Sequence, residues 1–360
     1  MSKVLQEAEE VARKISQLKM KPGLVESSSS IGYDEDGKGA GYLSVHQLES
    51  TTYIYTYSCA EEELSLCRLE RRSMFGVDTE LNAIEAPLKI DPSRSPFIKE
   101  RIEVLCTGDT LEALINKIRV LPEMDGTFKV LVINHNGDPK SDRVDFKDRR
   151  GIERKIGQLV PGQPNLHDPE ILLGIIQVNG KWFFGPCVES RSIWFLHQQK
   201  PHQYSTALST RMARAAVNIA VPHPGEQKVI DPCCGIGNVL VEALSMGIHI
   251  IGSDNNPLVM KGVRENIAHF GYEGEVLLRD IREINGSYDA AIIDMPYNLC
   301  SVISAEEKRE MLQSARGFAK KAVIVTVEPM DEIIKAAGFT VVDRGEVLKG
   351  KFKREILVCK

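Results

Sequence analysis

Residues 228–254 read KVIDPCCGIGNVLVEALSMGIHIIGSD. A short β-rich run ends in Asp231, a glycine loop follows, an apolar helical stretch runs to residue 246, and a second β-rich run ends in Asp254. The alternation continues outward: a helix to residue 269, EVLLRD at 275–280, SYDAAIID at 287–294, a helix near 304–318, AVIVTV at 322–327, and a short helix. Strands alternating with helices predict a doubly wound parallel sheet with helices on both faces. The last two β-runs, TVVDRGEV (340–347) and FKREILVC (352–359), are close enough to pair antiparallel and complete a seven-stranded sheet.

Ligands of such sheets bind beyond the carboxyl ends of the strands. In Asp231-Pro-Cys-Cys-Gly235-Ile-Gly237-Asn238 the glycines permit φ > 0 and close approach of the backbone to a ligand. The helix that follows offers free N–H groups to a carboxylate such as that of methionine. Asp254, 23 residues after Asp231, is placed to accept hydrogen bonds from both hydroxyls of a ribose. These features point to an adenosine-type ligand without naming it. A dinucleotide fingerprint wants a small residue three after Gly237, and Leu240 stands there. Asp280, at the end of LLRD, suits either the adenine amino group or the capping of the next turn.

Asp294-Met295-Pro296-Tyr297 follows the strand AAIID and narrows the chemistry. Asp294 can accept hydrogen bonds from an exocyclic amine. Pro296 restrains the turn and contributes a carbonyl but no N–H. Tyr297 can stack on a base, worth roughly 1–3 kcal/mol. A carboxylate, a fixed carbonyl and an aromatic face together make a site for gripping an amino nitrogen.

The rest of the chain sets the context. Its 360 residues suffice for two or three domains. Hydrophobic and charged fractions of 42 % and 26 % are those of a globular protein. The net charge of −5 excludes global electrostatic attraction to nucleic acid, so RNA binding would need a local basic face. Nothing is long and apolar enough to span a membrane, and no secretory signal opens the chain. The eight cysteines form no C-x-x-C pair, so no metal site is expected, and reduced thiols in a cytoplasmic protein are the simple reading.

Residues 1–50 read as a helix over 4–19, stopped by Pro22-Gly23, and a Ser/Gly/Asp-rich linker over 26–50. From 51, YIYTYS (53–58), a helix over 60–75, RIEVLCTG (101–108), a helix over 110–119 and FKVLVIN (128–134) suggest a small α+β unit. Asn179-Gly180, between EILLGIIQV and KWFFGPCV, predicts a β-hairpin. Two basic clusters stand out. Arg143, Lys147, Arg149, Arg150, Arg154 and Lys155 interleave with Asp142, Asp145, Asp148 and Glu153, which suits phosphate contact or a self-paired solvated face. Lys349, Lys351, Lys353 and Arg354 lie in the final hairpin.

The Asp294–Tyr297 turn resembles the [N/D]-P-P-Y methyltransferases, which act on amino nitrogens of bases or of glutamine. More closely, YSTALSTRMARAAVNIA (204–220) followed by DPCCGIGNVLVEAL (231–244) resembles the THUMP-containing tRNA guanosine-N2 methyltransferases of the guanosine-10 type. GQPNLHDPEILLGIIQVNGKWFFGPCV (162–188) is similar to the end of a THUMP domain. The resemblance covers about residues 51–360. It implies a class I, Rossmann-like α/β methyltransferase domain over 191–360. A ferredoxin-like α+β unit (51–105) and a THUMP-like RNA-binding domain (106–190) would precede it, with residues 1–50 as an N-terminal helix and flexible linker. It implies S-adenosyl-L-methionine as cofactor, held by Thr206, Asp231, Gly235, Gly237, Asp254 and Asp280. Asp294, Pro296 and Tyr297 would be catalytic, and tRNA the partner. Two departures stand out: Met295 replaces the first proline of the usual motif, and Asn298 stands where glycine is common. Two other functions stay open on these residues: an adenine-N6 methyltransferase acting on DNA or RNA, and an RNA-binding protein with an inactive methyltransferase domain.

Overall fold

The computed structural model describes residues 51–134, 144–296, 303–350 and 352–360. The helix expected over 4–19, the linker at 26–50, Arg143, Tyr297, Asn298 and Lys351 lie outside the described residues. The described residues divide into two compact units, one of 51–55, 85–89, 101–134 and 144–188, the other of 56–84, 90–100, 189–296, 303–350 and 352–360. The strands β1 (Tyr53–Tyr57), β2 (Ala83–Ala86) and β3 (Ile98–Glu103) each change unit partway along. β2 was not anticipated: its sequence AIEA carries little of the β-branched and aromatic content that marks strands.

In the first unit RIEVLCTG is two strands, β3 and β4 (Cys106–Gly108), rather than one. The break falls at Val104–Leu105, where the Val104 N–H turns to the Thr52 carbonyl and the Leu105 N–H to that of Phe184. Here β5 (Thr127–Val132) lies between the short β6 (Gln163–Pro164) and β7 (Ile171–Val178), parallel to both. β7 pairs antiparallel with β8 (Lys181–Glu189) through the expected Asn179-Gly180 turn, whose residues have φ of 51° and 77°. The helices Leu111–Ile118 and Phe146–Gly157 turn Leu114, Ile115, Ile118 and Ile156 into a core with Phe128, Leu173 and Phe184.

The second unit carries the seven-stranded sheet expected from the alternation. Its strands are β9 (Val229–Asp231), β10 (Ile250–Asp254), β11 (Glu275–Leu278), β12 (Ala290–Asp294), β13 (Ala322–Thr326), β14 (Val341–Lys349) and β15 (Phe352–Cys359). Their order is β11-β10-β9-β12-β13-β15-β14. β9 to β13 are parallel, and the final pair is antiparallel, as its spacing implied. The order reverses at β9, so β9 and β12 flank the switch point where ligands of such sheets bind. β12 and β13 are fully apolar from Ala291 to Ile293 and from Ala322 to Val325, as strands covered on both faces must be.

The helix Thr210–Ala220 is buried along almost its whole length, and Ser209 caps its first turn by accepting from the Met212 N–H. Its Asn218 donates to Glu70 Oε1 (2.6 Å) and accepts from Arg94 Nε (2.9 Å), while Ser95 Oγ donates to Glu70 Oε2 (2.5 Å). Burial pushes Glu70 up to about 7. This polar cluster is closed by hydrogen bonds, which is what makes its burial tolerable. Among the described residues, no helix is long and apolar enough to cross a membrane.

Candidate active site

The parallel register brings the carboxyl ends of β9, β10, β11 and β12 to one edge, where a cavity of about 580 Å³ opens. Thr206, Asp231, Gly235, Asp254, Asp280, Asp294 and Pro296 all line it. Gly237 does not line it, and Tyr297 lies outside the described residues.

The loop after β9 takes its shape from its two glycines. Gly235 has φ of 51° and Gly237 of 83°, the left-handed region that favours glycine. A Cβ on Gly237 would stand 2.6 Å from Val263 Cγ2, so this glycine lets the loop close on the helix Val259–His269. A Cβ on Gly235 would meet nothing within 4 Å, and its N–H donates to Asp254 Oδ2 at 2.8 Å. Asp254 Oδ1 accepts from the Asn256 N–H at 2.9 Å. A carboxylate has about four acceptor sites, so Asp254 is oriented by backbone while retaining capacity for ribose hydroxyls. Asp231 is buried behind the loop and accepts from the Cys233 N–H at 3.2 Å. Burial first, then the charges of Asp254 and Asp294, hold its carboxyl well above the ordinary range.

Asp280 is treated in the opposite way. Oδ1 accepts from the Arg282 N–H (2.9 Å) and Arg282 Nε (2.8 Å), and Oδ2 from Arg282 Nη2 (2.9 Å) and Asn255 Nδ2 (3.1 Å). All four acceptor sites are therefore engaged. The side chain caps the short turn Ile281–Glu283, and the Arg282 guanidinium holds its carboxyl far below the usual carboxylate range. Bonding an adenine amino group would require one of these donors to yield.

Asp294 ends β12 with Oδ1 buried and without a hydrogen-bond partner among the described residues. Burial pushes its carboxyl up to about 7, opposed by the positive charge of Arg354. An unpartnered buried oxygen is costly, and because Asp294 lines the cavity a donor reaching that oxygen would recover the cost. Next to it, Met295 is buried in the core with Met311, Leu312 and Ile324. Its N–H donates to the Val325 carbonyl at 2.9 Å, extending the β12–β13 ladder by one residue. A proline here has no N–H for that bond. The departure from the motif thus replaces a ring restraint with a ladder hydrogen bond and a packed side chain.

Three contributors went unassigned in the sequence. Asn238 Nδ2 donates to the Leu208 carbonyl, and Arg354 Nη2 to the Thr206 carbonyl at 2.7 Å, so the segment entering the helix Thr210–Ala220 is held at two points beside the cavity. Arg282 is the third. Asn238 directly follows the glycine loop and was findable there; Arg354 is 60 residues beyond Asp294, with no local signal. No group of three or more His, Cys, Asp or Glu among the described residues is placed to hold a metal ion.

The chain is similar to several known proteins. Residues 197–328 match the RMKL-like methyltransferase domain family. The tRNA (guanine(10)-N2)-dimethyltransferase of Methanothermobacter thermautotrophicus is 30 % identical over 267 residues, covering 69 % of this chain and 77 % of that protein. The tRNA (guanine(10)-N(2))-methyltransferase of Schizosaccharomyces pombe is 24 % identical over 237 residues, 57 % of this chain and 49 % of that one. Among solved structures, TrmN from Thermus thermophilus aligns with 86 % of this chain and 99 % of its own, at 16 % identity and a TM-score of 0.45.

Proposed function

The chain belongs to the tRNA guanine-N2 methyltransferase family, and on that premise we propose that it transfers a methyl group from S-adenosylmethionine to the exocyclic N2 of a guanosine in tRNA, at position 10. The observation that carries the catalytic assignment is Asp294, which lines the same cavity as Asp231, Gly235 and Asp254 and whose Oδ1 is a buried acceptor with no partner among the described residues.

The residues fit the cofactor. Gly235 leaves open space on the cavity side, and Asp254 is held by backbone N–H groups with acceptor capacity to spare for the ribose. Thr206, Asp231, Gly237 and Asp280 complete the assigned cofactor set, Gly237 by shaping the loop. When bound, S-adenosylmethionine supplies an electrophilic methyl group on a sulfonium centre. The chain's own residues must then bring the amine in line with it. The N2 lone pair of guanine is delocalised into the ring. Hydrogen bonds from N2–H to Asp294 Oδ1 and to a carbonyl at Pro296 favour pyramidalisation and fix the direction of attack. As N2 gains the methyl it becomes cationic. Its excess proton passes to Asp294 Oδ1, whose raised affinity suits it as acceptor, or to water. Tyr297 is assigned the face of the base, which leaves its stack at a cost of a few kcal/mol.

Residues 51–105 and 106–190, read as ferredoxin-like and THUMP-like, are assigned to tRNA binding. Support comes from the helix Phe146–Gly157, where Lys147, Arg154 and Lys155 are exposed. Glu153, one of the acids interleaved with them, accepts from the Val132 N–H instead. A cytosolic location goes with the reading of the thiols as reduced.

The test uses purified protein, methyl-labelled cofactor and unmodified tRNA, followed by nucleoside analysis. N2-methylguanosine is expected, and N6-methyladenosine would overturn the acceptor. Asp294→Ala is expected to lower turnover at least ~10³-fold with cofactor affinity retained. Normal turnover by that variant would remove Asp294 from catalysis.

A further inference from the structure

Arg354 belongs to neither the glycine loop nor the Asp294 turn, yet it bonds the carbonyl of Thr206 and its charge acts on Asp294, both of which line the cavity. Asp294 pairs with Val325 on β13, and Val325 pairs with Ile356 on β15. Residues paired across strands share a face, and so do residues two apart along one strand. Asp294 and Arg354 therefore project from the same face of the sheet at its carboxyl edge. The guanidinium is fixed by its bond to the Thr206 carbonyl and by the Phe352 ring, 5.4 Å from its centre. Nearby basic groups are committed elsewhere: Lys353 to Glu346 and Glu355, and Arg344 to Asp331.

We propose that Arg354 is a positioning residue for methyl transfer, tying the Thr206 segment to the catalytic edge and presenting a positive charge to Asp294 so that the acid meets the acceptor amine as a carboxylate. This rests on the methyltransferase reading of the site. The charge of Arg354 lowers the proton affinity that burial raises at Asp294. Asp231 and Cys233 interact with Asp294 from the glycine loop and are themselves raised in proton affinity; Glu307 and Arg282 line the same cavity, Arg282 being paired with Asp280. Arg354 is thus a cation that counters the effect of burial on Asp294.

Two measurements decide the proposal. In the first, the pH profile of kcat for tRNA methylation is compared in the native protein, Arg354→Met and Arg354→Lys. Arg354→Met is expected to lower kcat about tenfold near pH 7, to move the acidic limb up by about one pH unit, and to recover rate at higher pH. Arg354→Lys is expected to keep the limb in place. A uniform fall at every pH, or a lysine variant indistinguishable from methionine, would overturn the role. The second needs no activity. The difference in unfolding free energy between the native protein and Asp294→Asn is followed against pH, with Arg354 intact and in the Arg354→Met and Arg354→Lys backgrounds. Ionisation of Asp294 is expected at higher pH in the methionine background and unmoved in the lysine one. Coincident curves in all backgrounds sink the inference, and the lysine background decides if Arg354→Met does not fold. Absence of methyl transfer by the native protein would sink the function instead, while the stability curves still report on Arg354.

Discussion

Two carboxylates of one cavity are treated in opposite ways. Asp280, on the side of β10 and β11, accepts four hydrogen bonds and is held far below the usual range. Asp294, at the end of β12, is half-buried with its Oδ1 buried and unpartnered among the described residues, and its carboxyl is pushed up to about 7. The satisfied side is built before any ligand arrives, with its acids oriented by backbone and guanidinium. The unsatisfied side keeps a strong acceptor in reserve. In the proposed mechanism it costs stability and gains a partner when the acceptor amine enters, so the free energy of burying Asp294 Oδ1 would be recovered where the chemistry takes place.

The largest effect that would sharpen this contrast is at Asp254. Asp254→Ala removes the proposed ribose acceptor and the anchors of Gly235 and Asn256 together. Cofactor affinity is expected to fall by about 30–100-fold, corresponding to hydrogen bonds to a charged group at roughly 1.5–3 kcal/mol; calorimetry with S-adenosylhomocysteine checks it. A change under threefold would mean that this side is not the ribose site.

Asp294→Asn tests the other side through stability. The folded carboxyl lies near 7 against an ordinary value of 3.8. The protonated acid is therefore preferred in the fold, stability is greatest below the unfolded value, and it is lost as pH rises through about 7. Removing the charge is expected to stabilise the protein by on the order of 4 kcal/mol at pH 8 and by little at pH 4. Denaturant titration at the two pH values reads this out. Destabilisation at pH 8 would show that Asp294 is satisfied after all and erase the contrast.

The smallest effect is at Arg282, which is exposed and occupies Asp280. If the adenine amino group uses Asp280, Arg282→Met is expected to tighten S-adenosylhomocysteine binding by about threefold, since a competing donor is gone. Weaker binding would instead assign Arg282 itself to the ligand and leave Asp280 as a turn cap.

Much of the fold was legible because the cues are local. The parallel sheet follows from strands alternating with helices, and the final antiparallel pair from two β-rich runs with few residues between them. The acids at the strand ends were found by their place in that rhythm, and register then gathered them at one edge. Less local features were missed or merged. AIEA at 83–86 has no strand signature of its own, and the break between β3 and β4 depends on which carbonyls Val104 and Leu105 reach.

By itself, then, the sequence determined the doubly wound sheet, the glycine loop and the acids Asp231, Asp254, Asp280 and Asp294, because periodicity and turn chemistry act within a few residues. Only the tertiary structure decided how those acids differ. Whether a carboxylate is saturated, as Asp280 is by Arg282 and Asn255, or starved, as Asp294 is, depends on burial and donor geometry that spacing does not encode. It also took Arg354 out of a basic cluster in the last hairpin and set it beside Thr206 and Asp294, because strand order, not chain distance, makes β12 and β15 near neighbours.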